Sequence, residues 1–297
     1  MLNVTVDNSK VPALVFERST GYWENVLRRF MRDPVALGAA FVIFLLLIMA
    51  VFGPWIAPMD PYQGSIMRRL RPIGTEGYPL GTDELGRDML TRLIVGARLS
   101  LFMGITPVIV AFVVGSIIGI TAGYTGGWIN SVIMRTIDVF YAFPSVLLAI
   151  ALSGVLGAGI TNSLISLTIV FIPPIARVAE SVTTQIRSRD FVEAARASGA
   201  NALTIVRVHV LGNVLGPIFV YATSLIAVSM ILASGLSFLG LGVKPPEPEW
   251  GLMLNTLRTA IYVQPWIAAL PGVMIFITSI AFNMLSDGLR SAMEIKN

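Results

Sequence analysis

Long uncharged runs alternate with short polar ones along this chain. The first run, "VALGAAFVIFLLLIMAVFGPWIA" at 35–57, holds no charge over 23 residues. As a helix it is long enough to cross a hydrocarbon core of roughly 30 Å. Asp33 and Pro34, just before it, suit an N-cap and a first helical position. Charge is absent again from Leu99 to Met134, too long for one crossing, and "AGYTGGW" (122–128) supplies the break. It lapses once more from Val139 to Ala176, a run that "SGVLGAGITN" (153–162) divides. The pattern predicts six membrane-crossing helices, at about 35–57, 99–122, 129–153, 161–179, 214–237 and 266–286. Two amphipathic pieces flank them. In 21–33, Trp23, Val26, Leu27 and Phe30 share one face while Arg28, Arg29 and Arg32 take the other. This predicts a helix lying in the membrane interface, or else one packed on a partner. In 83–100, Leu85, Met89 and Leu93 repeat at spacing four, predicting a piece that leads along the outer surface into the second span.

Composition sharpens the class. The 297 residues are 55% hydrophobic and 13% charged, with a mean hydropathy of +0.78. That charged share is about half of what a soluble domain carries, so the chain is an integral membrane protein. The +4 net charge comes from arginines beside apolar spans. It therefore reads as positive helix flanks, and no nucleic-acid partner is expected. The absence of cysteine excludes disulfides, thiolate metal sites and cysteine nucleophiles. Residues 1–20 are mixed polar and the first apolar run exceeds a signal-peptide core, so that run reads as a retained anchor. Six crossings place both termini on one side, and the segments on that side hold 13 of the 21 Lys and Arg residues. That bias predicts cytoplasmic termini. The loop 58–98 runs against it, with six arginines, alongside Asp60, Glu76, Asp83, Glu84 and Asp88. The expected division is a cytoplasmic N-terminus at 1–34, a first span at 35–57, an extracytoplasmic loop at 58–98, a five-helix core at 99–289 that includes a charged loop at 180–213, and a cytoplasmic tail at 290–297.

Much chemistry is excluded. A phosphate-binding P-loop needs a lysine after a glycine-rich turn, and Lys10, Lys244 and Lys296 all lack that context. One histidine and no cysteine make no metal cluster. The serines of "SGLSFLG" (234–240) have no histidine in a span to activate them, because His209 lies in the charged loop. Ion-coupled carriers usually place ionisable groups within the spans. Here Asp138 is the main one, with a structural pair to Arg135 three residues earlier as one reading and a pathway-lining role as the other.

The charged loop contains "FVEAARASGANALTIVRVHVLGN", 191–213. Phe191 to Ser198 is helix-prone, and Gly199 can turn the chain because glycine tolerates positive φ. A second short helix then carries Leu203, Val206 and Val210 on one face. The spelling resembles the EAA loop of ABC-importer permeases, with matches at Glu193, Ala194, Ala195, Gly199 and Leu211. His209 stands where that pattern has Ile, and Gly212 where it has Pro, which leaves open how the chain turns into the fifth span, although Pro217 follows soon after. The stretches at 80–101, 134–150, 237–251 and 281–290 resemble the dipeptide/oligopeptide/nickel permease group, in particular its DppC/OppC-type subunit.

The resemblance implies an all-α type I ABC-importer permease in the bacterial inner membrane, with an N-terminal interfacial helix and a cytoplasmic coupling helix. It implies a second, DppB/OppB-type permease subunit, two ATP-binding subunits that hold ATP and Mg, and an extracytoplasmic substrate-binding protein. It implies no catalytic residue, cofactor or metal in this chain. Glu193 and Gly199, with Arg196 between them, would organise the coupling helix in a groove of the ATPase. The expected cargo is di- or oligopeptide, with nickel chelates, other small solutes and a stand-alone carrier as alternatives. The prolines of "VKPPEPEW" (243–250) suggest a stiff extended outer gate or docking surface including Pro245, Pro246 and Trp250, with a headgroup-level anchor as the ordinary reading of Trp250.

Overall fold

A computed structural model describes residues 22–293. Residues 1–21 of the N-terminal segment, with Lys10 and Arg18, and 294–297 of the tail, with Lys296, lie outside the described residues. Among the described residues the regular structure is helical: α1 (Tyr22–Phe30), α2 (Pro34–Ile56), α3 (Met89–Thr125), α4 (Gly127–Tyr141), α5 (Ser145–Leu156), α6 (Ile160–Arg187), α7 (Asp190–Ala197), α8 (Ala202–Ile205), α9 (Leu211–Phe238), α10 (Trp250–Thr256) and α11 (Pro265–Met293). Asp33 caps α2 as its sequence suggests: Oδ1 accepts from the Val35 and Ala36 amides at 2.9 and 3.2 Å, while Pro34 has no amide to leave unpaired.

Five helical stretches are long and apolar enough to cross a membrane, namely α2, α3, α6, the run Ala202–Phe238 and α11. The sixth expected span, 129–153, is not one helix. It is the α4–α5 pair, bent by 86°. Pro144 causes the break, because it disfavours a helical Phe143 and cannot donate to the preceding turn. The second span also starts earlier than its uncharged run. The expected surface piece at 83–100 is instead the first turns of α3, with Met89 0% and Leu93 4% exposed; Leu85 precedes the helix and is exposed. The loop before α3 therefore ends near residue 88 rather than 98.

Contacts between helix ends define two faces. Gly288 lies on Ala36, Gly126 beside Arg187 and Gly216 beside Met293. The starts of α2 and α9 and the ends of α3, α6 and α11 thus share one face, called here the terminal face. α1 packs on α11 at that face, burying Val26 and leaving Leu27 exposed. On the opposite loop face, Gly53 meets Ile94, the Gly159 amide donates to the Leu241 carbonyl at 3.1 Å, and Gly81 meets Ile267.

α3 is the central helix, packed against α2, α6 and α9. Its seam with α6 is built on glycines four residues apart. A Cβ at Gly115 would meet Ile175, one at Gly119 would overlap the Ala176 carbonyl, and one at Gly123 would lie 2.7 Å from the Glu180 carbonyl. Close backbone approach is how helices gain packing energy in lipid, where apolar burial alone gains little. Gly119→Val should therefore destabilise the fold by about 1–3 kcal/mol through overpacking. Gly38→Ala, at an α2 position where a Cβ meets nothing within 4 Å, should not. Thermal unfolding of the two purified variants against the parent checks this.

Candidate functional site

The short polar segment between α6 and α9 projects from the terminal face. α7 is held from below by Val192, which is fully buried, and by Phe191, whose ring lies 6.3 Å from that of His209. Glu193, Ala194 and Arg196 are exposed and Ala195 is half-buried, so one side of α7 faces away from the bundle. Its C-terminus closes by two bonds, Ala200 N–H to Ala195 C=O at 3.1 Å and Gly199 N–H to Arg196 C=O at 3.0 Å. That pairing needs a left-handed residue, and Gly199 has φ +82°. Asn201 then accepts from the Thr204 amide at 2.8 Å and starts the next helix.

That next helix is not a separate loop element, as expected from the sequence. α8 continues through one π turn (Val206–Val210) into α9, without a bend at Gly212. The expected turn into the fifth span does not exist, and the polar break shrinks from 180–213 to residues 188–201. Leu211, half-buried, is the first residue of α9, and its amide bonds the Val206 carbonyl across the π turn. Phe191, Leu203 (78% exposed) and Val208 are exposed apolar side chains within and just after the same break.

Asp138 does not pair with Arg135. Its partner is Arg177 of α6, whose guanidinium also lies 5.7 Å from the Tyr141 ring centroid. A pair three residues apart on one helix looks natural in sequence, but the fold supplies a cation from across the helix interface. Both side chains are about half exposed.

At the loop face the segment 57–88 is knotted by buried charge. Asp83 accepts from the Leu85 and Arg87 amides at 2.9 Å and from Arg87 Nε at 2.6 Å, and its carboxylate lies 3.3 Å from Arg92 Nε. Arg92 reaches on to the Pro61 carbonyl at 2.8 Å. Two of the six arginines that weakened the charge-asymmetry argument are therefore internal and paired. Sequence reasoning missed this cluster, although the alternation of acids and arginines in "DELGRDMLTR" was its signal.

The segment 243–250 is anchored beside that cluster. It is not extended: residues 245–246 form a turn with a cis peptide bond, and Pro245 and Pro246 are exposed. Trp250 is 0% exposed and donates from Nε1 to the Leu93 carbonyl at 3.0 Å, so it is a core residue and not a headgroup anchor. Glu249 caps α10, accepting from the Gly251 and Leu252 amides at 2.8 Å. Burial pushes its carboxyl above the ordinary value near 4.5, against the downward pull of those two amides. Trp250 and Asp138 are not one site. Trp250 meets α3 at Leu93, whereas the residue before Arg177 meets it at Gly119, about 39 Å further along the helix.

A family model described as "Binding-protein-dependent transport system inner membrane component" matches residues 115–295. Another, "N-terminal TM domain of oligopeptide transport permease C", matches residues 21–72. Glutathione transport system permease proteins GsiD from Escherichia coli O6:K15:H31 (strain 536 / UPEC) and Shigella boydii serotype 4 (strain Sb227) are each 43% identical over 274 residues, 92% of this chain and 90% of theirs. Among solved structures, an inward-facing MetNI methionine ABC transporter chain superposes with a TM-score of 0.57 at 20% identity, covering 69% of this chain and 97% of its own, and so shares the fold.

Gly199→Ala should cost about 1–2 kcal/mol by forcing a Cβ into the left-handed region, while Gly212→Ala, helical and with open space around it, should gain about 0.5–1 kcal/mol. Chemical denaturation of both variants separates the turn from the continuous helix. Glu249 sets a pH dependence. A carboxyl raised by folding contributes its full stability below its unfolded value and loses it as pH rises through the folded value. Thermal stability should thus fall with pH above 4.5 more steeply in the parent than in Glu249→Gln. Parallel curves for the two proteins would contradict that assignment.

Proposed function

The chain belongs to the binding-protein-dependent transport system inner membrane components, as an ABC-transporter permease of the dipeptide/oligopeptide family with type I importer architecture, and from that membership we propose that it forms half of a pathway importing small peptides, driven by ATP hydrolysed on partner subunits. The observation that carries this reading is the exposed side of α7, with Glu193, Ala194 and Arg196 presented on a capped helix, and with exposed apolar side chains at Phe191, Leu203 and Val208 close to it in the chain. Exposed apolar and charged side chains together are the make-up of a protein-docking surface. The docked partner is one of two ATP-binding subunits that carry ATP and Mg, and the terminal face is cytoplasmic.

Movement of α7 is delivered directly to the bundle. The helix is short, lies between the end of α6 and the start of the Ala202–Phe238 run, and has Val192 in the core. A push from a closing ATPase pair would shift α6 and α9 against α3 as levers, the differential contact in two states that coupling requires. Asp138 and Arg177 place half-exposed charge on the α4–α6 side. Charge facing lipid is costly, so this side turns to the pathway and to the second permease subunit. Pro245 and Pro246, exposed on the loop face, form part of the surface for the substrate-binding protein, with Trp250 holding that turn to the core. The relatives named for glutathione, a tripeptide, favour a small-peptide cargo.

Glu193→Ala in the assembled transporter tests the coupling role. A charge-assisted hydrogen bond is worth about 1.5–3 kcal/mol, so retention of the ATP-binding subunits should drop about 10- to 100-fold. Solute-stimulated ATP hydrolysis and uptake should fall with it. Parent levels of all three would remove Glu193 from the interface.

A further inference from the structure

A half-open groove of 1180 Å³ runs between the C-terminal half of α2 and the N-terminal half of α3. Its bed is apolar, including Val51 of α2 and Phe102 of α3, both about half exposed. Among the described residues a single cation, Arg98, lies in it. Arg98 is exposed and makes no hydrogen bond or ion pair with any described residue. This separates it from Arg87 and Arg92 on the same stretch, which are buried and paired. An unpaired guanidinium against apolar side chains at membrane depth calls for an external anion.

The groove's other charges bear opposite sign and lie nearer the loop face. Asp60 follows the end of α2 and accepts from the Tyr62 amide at 2.8 Å. Glu247 accepts from the Tyr62 hydroxyl at 3.0 Å. Each carboxylate keeps free acceptor capacity, and neither neutralises Arg98. The order of depth follows from the helices. Ile94 of α3 meets Gly53 of α2; Arg98 is one turn deeper, and Asp60 lies beyond the α2 terminus. Trp55, 78% exposed on the last turn of α2, has the position of a headgroup-level aromatic.

From apolar bed to rim, the groove therefore presents acyl-chain surface, then a cation, then two carboxylates. We propose that it holds one phospholipid with a primary-ammonium headgroup, its phosphate on Arg98, its ammonium between Asp60 and Glu247, and its chains wedged between α2 and α3. A purely anionic headgroup would satisfy Arg98 but meet two carboxylates. A quaternary ammonium would bring no N–H donor to them.

The full chain, with the subunits that co-purify, is reconstituted into phosphatidylcholine vesicles containing increasing brominated phosphatidylethanolamine. The Trp55 signal is isolated as the fluorescence difference between the parent and Trp55→Phe. The expected result is saturable quenching at low mole fraction, with half-saturation raised about tenfold or more in Arg98→Gln, the effect of losing one charge-assisted contact. Arg98 bonds no described residue, so that substitution leaves the fold intact. Brominated phosphatidylglycerol should show no saturable phase. Quenching that merely tracks mole fraction, equally in parent and Arg98→Gln, would mean bulk lipid only and overturn the site. No quenching of Trp55 would mean that a protein partner covers the groove, and a saturable phase with phosphatidylglycerol alone would overturn the headgroup assignment.

Discussion

The close approach of α3 to α6 is the interaction on which the rest of the bundle depends. In lipid, apolar side chains gain almost nothing by leaving hydrocarbon for one another, so association has to come from backbones brought near enough to pack. Gly115, Gly119 and Gly123 provide that nearness along α3, and Gly104 provides it again for Met230 of α9. With α3 fixed this way, α6 ends where α7 must begin, and Arg177 lies where Asp138 of α4 can reach it. The exposed helix on the terminal face is thus positioned by a glycine seam several turns away.

The loop face obeys a different rule. Outside the apolar slab, buried charge becomes tolerable if every partner is at hand. Asp83 meets this condition by gathering two backbone amides and two guanidinium groups. Glu249 meets it less fully, with two amides and the Ser100 hydroxyl donating but no cation among the described residues, and burial therefore raises its carboxyl. Between them these acids tie the segments 57–88 and 239–250 to the first turns of α3, so the loop face is built as firmly as the membrane bundle.

Hydropathy made the number of crossings and the shared face of the termini readable, because a charge-free run of membrane length has few other uses. Helix ends were less readable. α3 begins ten residues before its uncharged run, since Arg92 is buried by pairing and so carries no information about where water starts. The broken third crossing was marked by Pro144, whose effect a charge-based reading overlooked. The spelling singled out Glu193, Ala194 and Gly199; the exposure of the first two and the left-handed backbone of Gly199 are what the fold adds. Arg177 as the partner of Asp138 was not legible, because nothing in a linear chain says which helices face each other. Gly212, standing where the pattern has Pro, left the entry to the fifth span open, and its helical neighbours on both sides carry the helix straight through it.

The π turn at Val206–Val210 has a consequence for how such a chain can change over time. One extra residue in that turn sets the rotational phase between Leu203, which faces outward, and Val214 and Ile218, which are fully buried. Each residue of an α-helix advances the phase by about 100°. Loss or gain of a single residue here would change by that amount the phase, about the helix's own axis, between the segment before the turn and the membrane contacts after it. Point substitutions can tune this joint, but its length is fixed by geometry, as the tooth count of a gear is fixed by its mate.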